Sequence, residues 1–88
     1  MKNLPKEYVN YLNTMVDDIY GEAAKKWDWK TAAELQVWAN EAKLHPTTVW
    51  NLGTGKTKIP QLLTVWKLAR SVGWSLQLSG KLKLRKSA

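Results

Sequence analysis

One segment of the sequence has the composition of a phosphate-binding loop, in which glycine backbone N–H groups and a lysine hold a phosphate. This segment is Gly53-Thr54-Gly55-Lys56-Thr57. The loop chemistry requires another glycine five residues before Gly55, and Trp50 stands there. It also requires a preceding strand, whereas the apolar spacing before Gly53 is helical. We therefore interpret the segment as a helix end followed by a basic loop.

The other residues with reactive side chains do not form a catalytic or metal-binding set. Asp17 and Asp18 are adjacent, so their carboxylates point in different directions on a helix. His45 is the one histidine and cysteine is absent, so no cluster of metal ligands can be assembled around it. The sequence therefore predicts no enzyme activity, no cofactor and no metal site.

The charge is distributed unevenly along the chain, whose formal net charge is +7. All seven carboxylates lie in the first 41 residues, which also hold five lysines and so carry −2. The remaining residues hold nine Lys or Arg and no carboxylate, and so carry +9. A long segment without acidic residues favours a polyanionic partner, most commonly nucleic acid. The alternative is a basic surface that has no specific ligand.

The length of 88 residues predicts one domain, residues 1–88, with a modest core that would gain burial by pairing with a second copy. The polar start, Met1 to Glu7, is not followed by the apolar run of a secretory signal, and no run approaches membrane-spanning length. We expect a soluble, cytoplasmic protein that does not contact a membrane.

Apolar residues at helical spacing predict a first helix from about Pro5 to Tyr20. They are Tyr8, Leu12, Met15, Val16 and Ile19. Gly21 either ends or bends this helix. Residues 22–27 either continue it or form a short helix of their own, so four or five helices are expected in all.

The next helix is predicted to begin at Asp28 or Thr31 and to end near Lys43, because His45-Pro46 disfavours helical geometry. Thr31-Ala32-Ala33-Glu34 has the spacing of a capping box. The expected buried stripe of this helix is Leu35, Trp38, Ala39 and Ala42.

A short helix is predicted from Pro46, a residue favoured in the first helical turn, to about Gly53. Gly55 is placed to adopt a left-handed conformation after it. A further helix is predicted to open at Pro60 and to be capped by Gly73. The expected inward residues of that last helix are Leu62, Val65, Trp66, Ala69 and Val72.

Two helices joined by a turn of three or four residues have the geometry of a helix-turn-helix. Ala39 is small enough for the helix after the turn to cross closely, Val49 is the apolar residue that this helix brings to the core, and Leu44 lies between them. The helix then presents to the outside Thr47, Trp50, Asn51 and Thr54.

The joint spacing of small, apolar and helix-ending residues resembles that of the lambda-repressor-like (Cro-type, XRE) helix-turn-helix proteins. The residues that carry the resemblance are Ala39, Leu44, Val49, Gly55, Pro60, Ala69 and Gly73, within a match that runs without a gap from Trp38 to Leu76. The resemblance implies a mainly α domain of four or five helices, with the helix-turn-helix at about 31–54. A short C-terminal β-strand or hairpin is expected at about 74–86.

The resemblance also implies that Thr47 and Asn51 read base edges in the DNA major groove, with Trp50 beside them. Asparagine can form two hydrogen bonds with adenine, and a threonine methyl can contact a thymine methyl. The alternatives are that Trp50 only packs against a neighbouring helix or another protein, and that Asn51 is merely a solvated polar residue. The positions implied to contact phosphate are Gln36, Lys43, His45, Thr54, Lys56 and Lys58.

Three positions depart from the family pattern. Leu35 occupies the usual position of a phosphate-contacting glutamine, next to Gln36. Lys43 replaces the usual turn glycine, so the turn must hold a strained lysine or follow a different path. His45 stands where Ser or Thr usually caps the recognition helix, and we interpret it as a turn residue.

The segment from Gly73 to Leu78 is similar to the strand after the last helix in HipB-type antitoxins, which pairs with its copy in a dimer. The expected dimerisation residues are Trp74, Leu76, Leu78, Leu82 and Leu84. A single extended strand would keep these residues on one face. So would a hairpin through Ser79-Gly80-Lys81, which would pair Leu78 with Leu82 and Leu76 with Leu84. The alternative to pairing between copies is a hairpin that folds back on its own helices.

These features predict a transcriptional regulator that binds double-stranded DNA sequence-specifically, as a repressor on a near-palindromic operator and as a homodimer. One alternative is the antitoxin of a toxin–antitoxin pair, which binds a partner toxin and autoregulates. Another is RNA binding or a non-specific architectural role. When bound to DNA, the protein is expected at the nucleoid.

Overall fold

In the part of the chain that the structure describes, four helices are followed by a two-stranded hairpin. The computed structural model describes residues 6–79 and 81–86, and only the backbone of 76–79 and 81–86. The helices are α1 (Lys6–Ala23), α2 (Ala32–Ala42), α3 (Pro46–Gly53) and α4 (Leu62–Ser71), and the strands are β1 (Trp74–Ser79) and β2 (Lys81–Lys86). The protein is therefore a small, mainly helical domain, as its periodicity predicts.

The hydrophobic core lies where the four helices meet. Its buried residues are Leu12, Met15, Val16, Ile19, Tyr20, Ala23, Trp29, Trp38, Ala39, Ala42, Val49, Leu52, Val65, Leu68 and Ala69. Ala39 and Val49 are fully buried, as predicted for residues at the crossing of α2 and α3. Leu35 and Leu44 are half-buried at the edge of this core.

Helix α1 continues through Gly21 and ends at Ala23, so the glycine does not end it. Gly21 is exposed, whereas Ala23 is fully buried and holds the last turn against the core. Pro5, the predicted first helical residue, lies outside the described residues.

The predicted capping box at the start of α2 does not form. Thr31 is the N-cap residue, but its side chain makes no capping hydrogen bond. Its hydroxyl donates to the Asp28 carbonyl oxygen at 2.8 Å, while a carboxylate oxygen of Glu34 accepts from the Asp28 N–H at 3.1 Å. Both side chains therefore bond backbone atoms of Asp28 and stabilise the turn of residues 28–31 that precedes the helix.

The predicted inward face of α4 is wrong at Trp66, which is 37% exposed, whereas Leu68 is fully buried. The stripe is centred on the buried Val65. At about 100° per residue, Leu68 lies closer to that centre than Trp66 does. Arg70 stacks on the Trp66 ring at 4.9 Å from its centroid. The helix begins at Leu62, two residues after Pro60.

The C-terminal strands form an antiparallel hairpin rather than one extended strand. Its register pairs Leu78 with Leu82 and Leu76 with Leu84, which confirms one of the two predicted arrangements. Gly73 precedes the hairpin with a positive φ of 80°, and β1 lies alongside α4. The side chains of the four expected dimerisation leucines, and Gly80, lie outside the described parts of the structure.

Within residues 6–79 and 81–86, no helix combines the length and apolarity that crossing a membrane would require.

Candidate nucleic-acid interface

The turn between α2 and α3 holds a lysine in the left-handed conformation. Lys43 has φ 59° and ψ 44°. Of the two predicted possibilities, a strained lysine or a different path of the turn, the structure therefore has the strained lysine. Its N–H donates to the Asn40 carbonyl at 3.1 Å, and the Leu44 N–H donates to the Ala39 carbonyl at 2.9 Å. These bonds end α2 sharply and turn the chain into α3. The Lys43 side chain remains exposed.

His45 caps α3 through its imidazole ring. Its Nδ1 accepts a hydrogen bond from the Thr47 N–H at 3.1 Å. Nδ1 is attached to Cγ, as the side-chain oxygen of an aspartate or asparagine is, so it reaches the same backbone N–H groups. An accepting Nδ1 places the ring proton on Nε2, which can then donate to a phosphate oxygen. The histidine thus replaces the usual Ser or Thr cap.

Helix α3 is held in place by a buried tyrosine of α1. The Tyr20 hydroxyl donates to the Val49 carbonyl oxygen at 2.6 Å. Its ring makes edge-to-face contacts with Trp38, at 4.8 Å between centroids, and with Trp29, at 5.1 Å. Burial raises the pKa of Tyr20, because the charged form would lose its solvation. The hydroxyl therefore stays protonated and keeps donating to α3.

Gly53 allows these aromatic rings to approach the end of α3. A Cβ atom at this position would lie 2.6 Å from Cε2 of Tyr20 and 2.7 Å from Cη2 of Trp29. Such distances are far below van der Waals contact, so only glycine fits without a shift of the rings. The close approach fixes α3 against α1 and against the segment that precedes α2.

The outward face of α3 carries uncharged polar side chains. Thr47 is exposed, and Asn51, one turn later, is half-buried. The Asn51 carbonyl accepts from the Thr57 N–H at 3.1 Å, but among the described residues its side chain has no hydrogen-bond partner. The amide is therefore available to an external ligand.

Trp50 projects outward less than predicted. It is half-buried and makes an edge contact with Trp29, at 5.9 Å between ring centroids and 68° between planes. The rest of the ring lines a shallow depression together with Thr47. Trp50 therefore packs against the protein and also forms part of the surface of α3.

Exposed lysines lie on both sides of α3, which itself carries no charged residue. Lys43 precedes the helix, and Lys56 and Lys58 follow it in a loop that the Thr57–Asn51 hydrogen bond holds near the helix end. Gln36 is exposed on α2.

One predicted phosphate contact has its hydroxyl proton already engaged. Thr54 is exposed, but its hydroxyl donates to the Trp50 carbonyl oxygen at 2.8 Å. A phosphate contact by this side chain would require its hydroxyl to rotate away from that bond.

Two positioning residues escape reasoning from the sequence alone, namely Tyr20 and Trp29. Trp29 lies between two helices, in a stretch without apolar periodicity, and Tyr20 lies next to Gly21, the residue expected to end or bend α1. The available signal is the density of aromatic residues around this connection. This density indicates that some of these aromatic side chains are buried, but it does not indicate that Tyr20 and Trp29 contact α3.

No protein-family model, curated protein or solved structure matches this chain. Residues 6–79 and 81–86 contain no group of three or more His, Asp or Glu side chains that could hold a metal ion.

Proposed function

We propose that this protein binds double-stranded DNA by inserting α3 into the major groove, as a helix-turn-helix of the lambda-repressor-like type. The observation that carries the proposal is the uncharged polar face of α3 with exposed lysines on either side. An α-helix fits the major groove, where side-chain amides and hydroxyls can read base edges. Lysines beside the groove neutralise phosphates and set the register of the helix on the duplex.

The named side chains then have distinct tasks. Asn51 has a free amide that can form two hydrogen bonds with adenine, and the exposed Thr47 one turn earlier can contact a neighbouring base. In this proposal the exposed side chains of Lys43, Lys56 and Lys58 contact backbone phosphates. Gln36 on α2 and Nε2 of His45 at the N-terminus of α3 supply further donors. We propose a repressor as the biological role, since occupancy of an operator alone is sufficient for repression.

The experiment that tests DNA binding is selection of bound sequences from a random duplex pool, followed by titration of the best sequence at several salt concentrations. With ~6–10 phosphates neutralised per dimer, affinity should fall on the order of a thousandfold between low and moderate salt. Affinity that hardly changes with salt would contradict DNA binding. Equal affinity for the selected and the random duplexes would favour an architectural role instead.

The proposed repressor is a homodimer that uses the C-terminal hairpin. The hairpin packs on α4 through β1, and the edges of a two-stranded sheet can pair with a further strand. Pairing with a second copy would place two α3 helices about 34 Å apart, one turn of DNA. Sedimentation should show a dimer for the full chain and a monomer for a chain that ends at Gly73. A monomeric full chain at tens of micromolar, or a dimer after truncation, would contradict this interface.

A second candidate function, binding of a partner toxin, is favoured by exposed apolar side chains around a depression that also includes Thr48 of α3. Ile59 and Leu63 are 53% and 59% exposed and line one depression together with Leu44 and Leu52. Exposed apolar patches commonly mark protein interfaces. An equimolar complex with the product of an adjacent gene, abolished in Leu63→Glu, would support an antitoxin role. DNA binding would then serve autoregulation.

A further inference from the structure

A shallow depression opens between the N-terminal ends of α2 and α3, directly beside the proposed base-reading side chains. Its volume is about 340 Å³. The residues that line it are Lys30, Ala32, Leu35, Pro46, Thr47 and Trp50. Lys30 contributes an amine and Thr47 a hydroxyl group. The other lining side chains are aliphatic or aromatic. The depression is therefore an apolar feature on a surface otherwise suited to polar contacts.

The apolar wall is built from both helices of the pair. Leu35 of α2 and Trp50 of α3 are half-buried, and Trp50 is held from behind by its edge contact with Trp29. Thr47 lies one helical turn before Trp50 and is exposed, so its methyl group can complete the wall. Asn51 lies one turn after Thr47 on α3, so its amide is a neighbour of the Thr47 side chain, although Asn51 does not line the depression.

We propose that this depression takes the C5-methyl group of a thymine, so that Leu35 and Trp50 determine specificity for thymine over cytosine. This inference rests on the proposed insertion of α3 into the major groove. The thymine methyl is the one apolar group that the four standard bases present there. Cytosine presents only a hydrogen atom at the same ring position, so the apolar wall would lose the burial of the methyl group.

The charge around the depression favours nucleic acid over a second copy of the chain as its occupant. Lys30 lies on its rim, and the N-terminal ends of α2 and α3 both open beside it with their partial positive charge. A second copy would bring the same positive ends together. A DNA strand brings phosphates to the lysine and to the helix ends, and bases to the apolar wall.

Uracil isolates the methyl group, because it differs from thymine at C5 alone. The probe is the best 20-base-pair duplex from selection, with each thymine in turn replaced by deoxyuridine. We expect affinity to fall about fourfold at one position, the equivalent of about 0.8 kcal/mol for one buried CH₂ group. If no single replacement reduces affinity, while the protein still binds the duplex in a salt-dependent way, the inference is overturned. The proposed DNA binding would then still stand.

Three variants assign the effect to the depression. Leu35→Gln and Trp50→Ala should bind the thymine and uracil duplexes with equal affinity. Thr48→Ala should keep the fourfold difference, since Thr48 is exposed on α3 but does not line the depression. Circular dichroism checks that each variant is folded, and Leu35→Gln remains decisive if Trp50→Ala unfolds. Undiminished discrimination in folded Leu35→Gln would overturn the inference. Failure of selection to yield any bound duplex would instead overturn the proposed function.

Discussion

The hydroxyl group of Tyr20 donates a 2.6 Å hydrogen bond to the carbonyl oxygen of Val49, 29 residues further along the chain. This bond joins α1 to the helix that we propose reads DNA. Tyr20→Phe keeps the ring contacts with Trp29 and Trp38 but removes the donor. We expect the free energy of unfolding to fall by about 1 kcal/mol in a urea titration near neutral pH. Tyr11→Phe, at an exposed position of α1, is the control and should leave stability unchanged.

The same tyrosine should make the protein sensitive to high pH. Burial raises the pKa of Tyr20 above its ordinary value near 10. Above about pH 10 the unfolded chain therefore loses this proton while the folded protein keeps it. The contribution of Tyr20 to the free energy of unfolding is complete below about pH 10 and is lost as the pH rises further. The free energy of unfolding should fall by up to about 1.4 kcal/mol per pH unit more in wild type than in Tyr20→Phe. Parallel curves for the two proteins would contradict this assignment.

Gly53 and Gly21 should respond in opposite ways to alanine. In Gly53→Ala the new Cβ meets buried rings at 2.6 and 2.7 Å, so we expect a loss of roughly 1–3 kcal/mol. In Gly21→Ala nothing lies within 4 Å of the new Cβ. Alanine then stabilises the helix interior by roughly 0.5–1 kcal/mol. Thermal unfolding of both variants checks the prediction, and stabilisation by Gly53→Ala would show that the rings do not confine α3.

Lys43 allows backbone strain and charge to be separated. Lys43→Gly relieves the left-handed lysine and should raise the free energy of unfolding by about 1 kcal/mol. Lys43→Ala removes the same charge but keeps the strained conformation, so it should not gain this stability. If the lysine neutralises one phosphate, both variants should reduce the slope of log affinity against log salt by about 1. An unchanged slope in both would show that Lys43 does not bind phosphate.

Local sequence signals predicted the short elements well because they act over a few residues. Pro46 and Gly53 mark the ends of α3 as they stand in the structure, and Gly55 has the expected positive φ of 83°. The strand period left a hairpin and a single extended strand open, and the observed hairpin has the register predicted for that arrangement. In each case the physical cause is backbone geometry within a single turn or strand pair.

Long-range packing could not be predicted in the same way. Trp29 is buried although it lies in a connection without periodicity, because residues of α1 and α3 enclose it. Trp66 lies at the margin of the apolar stripe of α4, where a small difference in helix rotation decides between core and solvent. His45 caps α3 through a ring nitrogen, and capping preferences favour Ser, Thr, Asp and Asn, so sequence reasoning did not anticipate it.

The most direct test of the central claim compares two variants on two duplexes. Asn51→Ala and Lys56→Ala are each titrated against the selected duplex and against a random duplex of the same length. If α3 reads bases, Asn51→Ala loses roughly 1–3 kcal/mol on the selected duplex and much less on the random one. Lys56→Ala weakens both to a similar extent, because a phosphate contact carries no sequence information. Equal losses of Asn51→Ala on the two duplexes would contradict the assignment of α3 as the recognition helix.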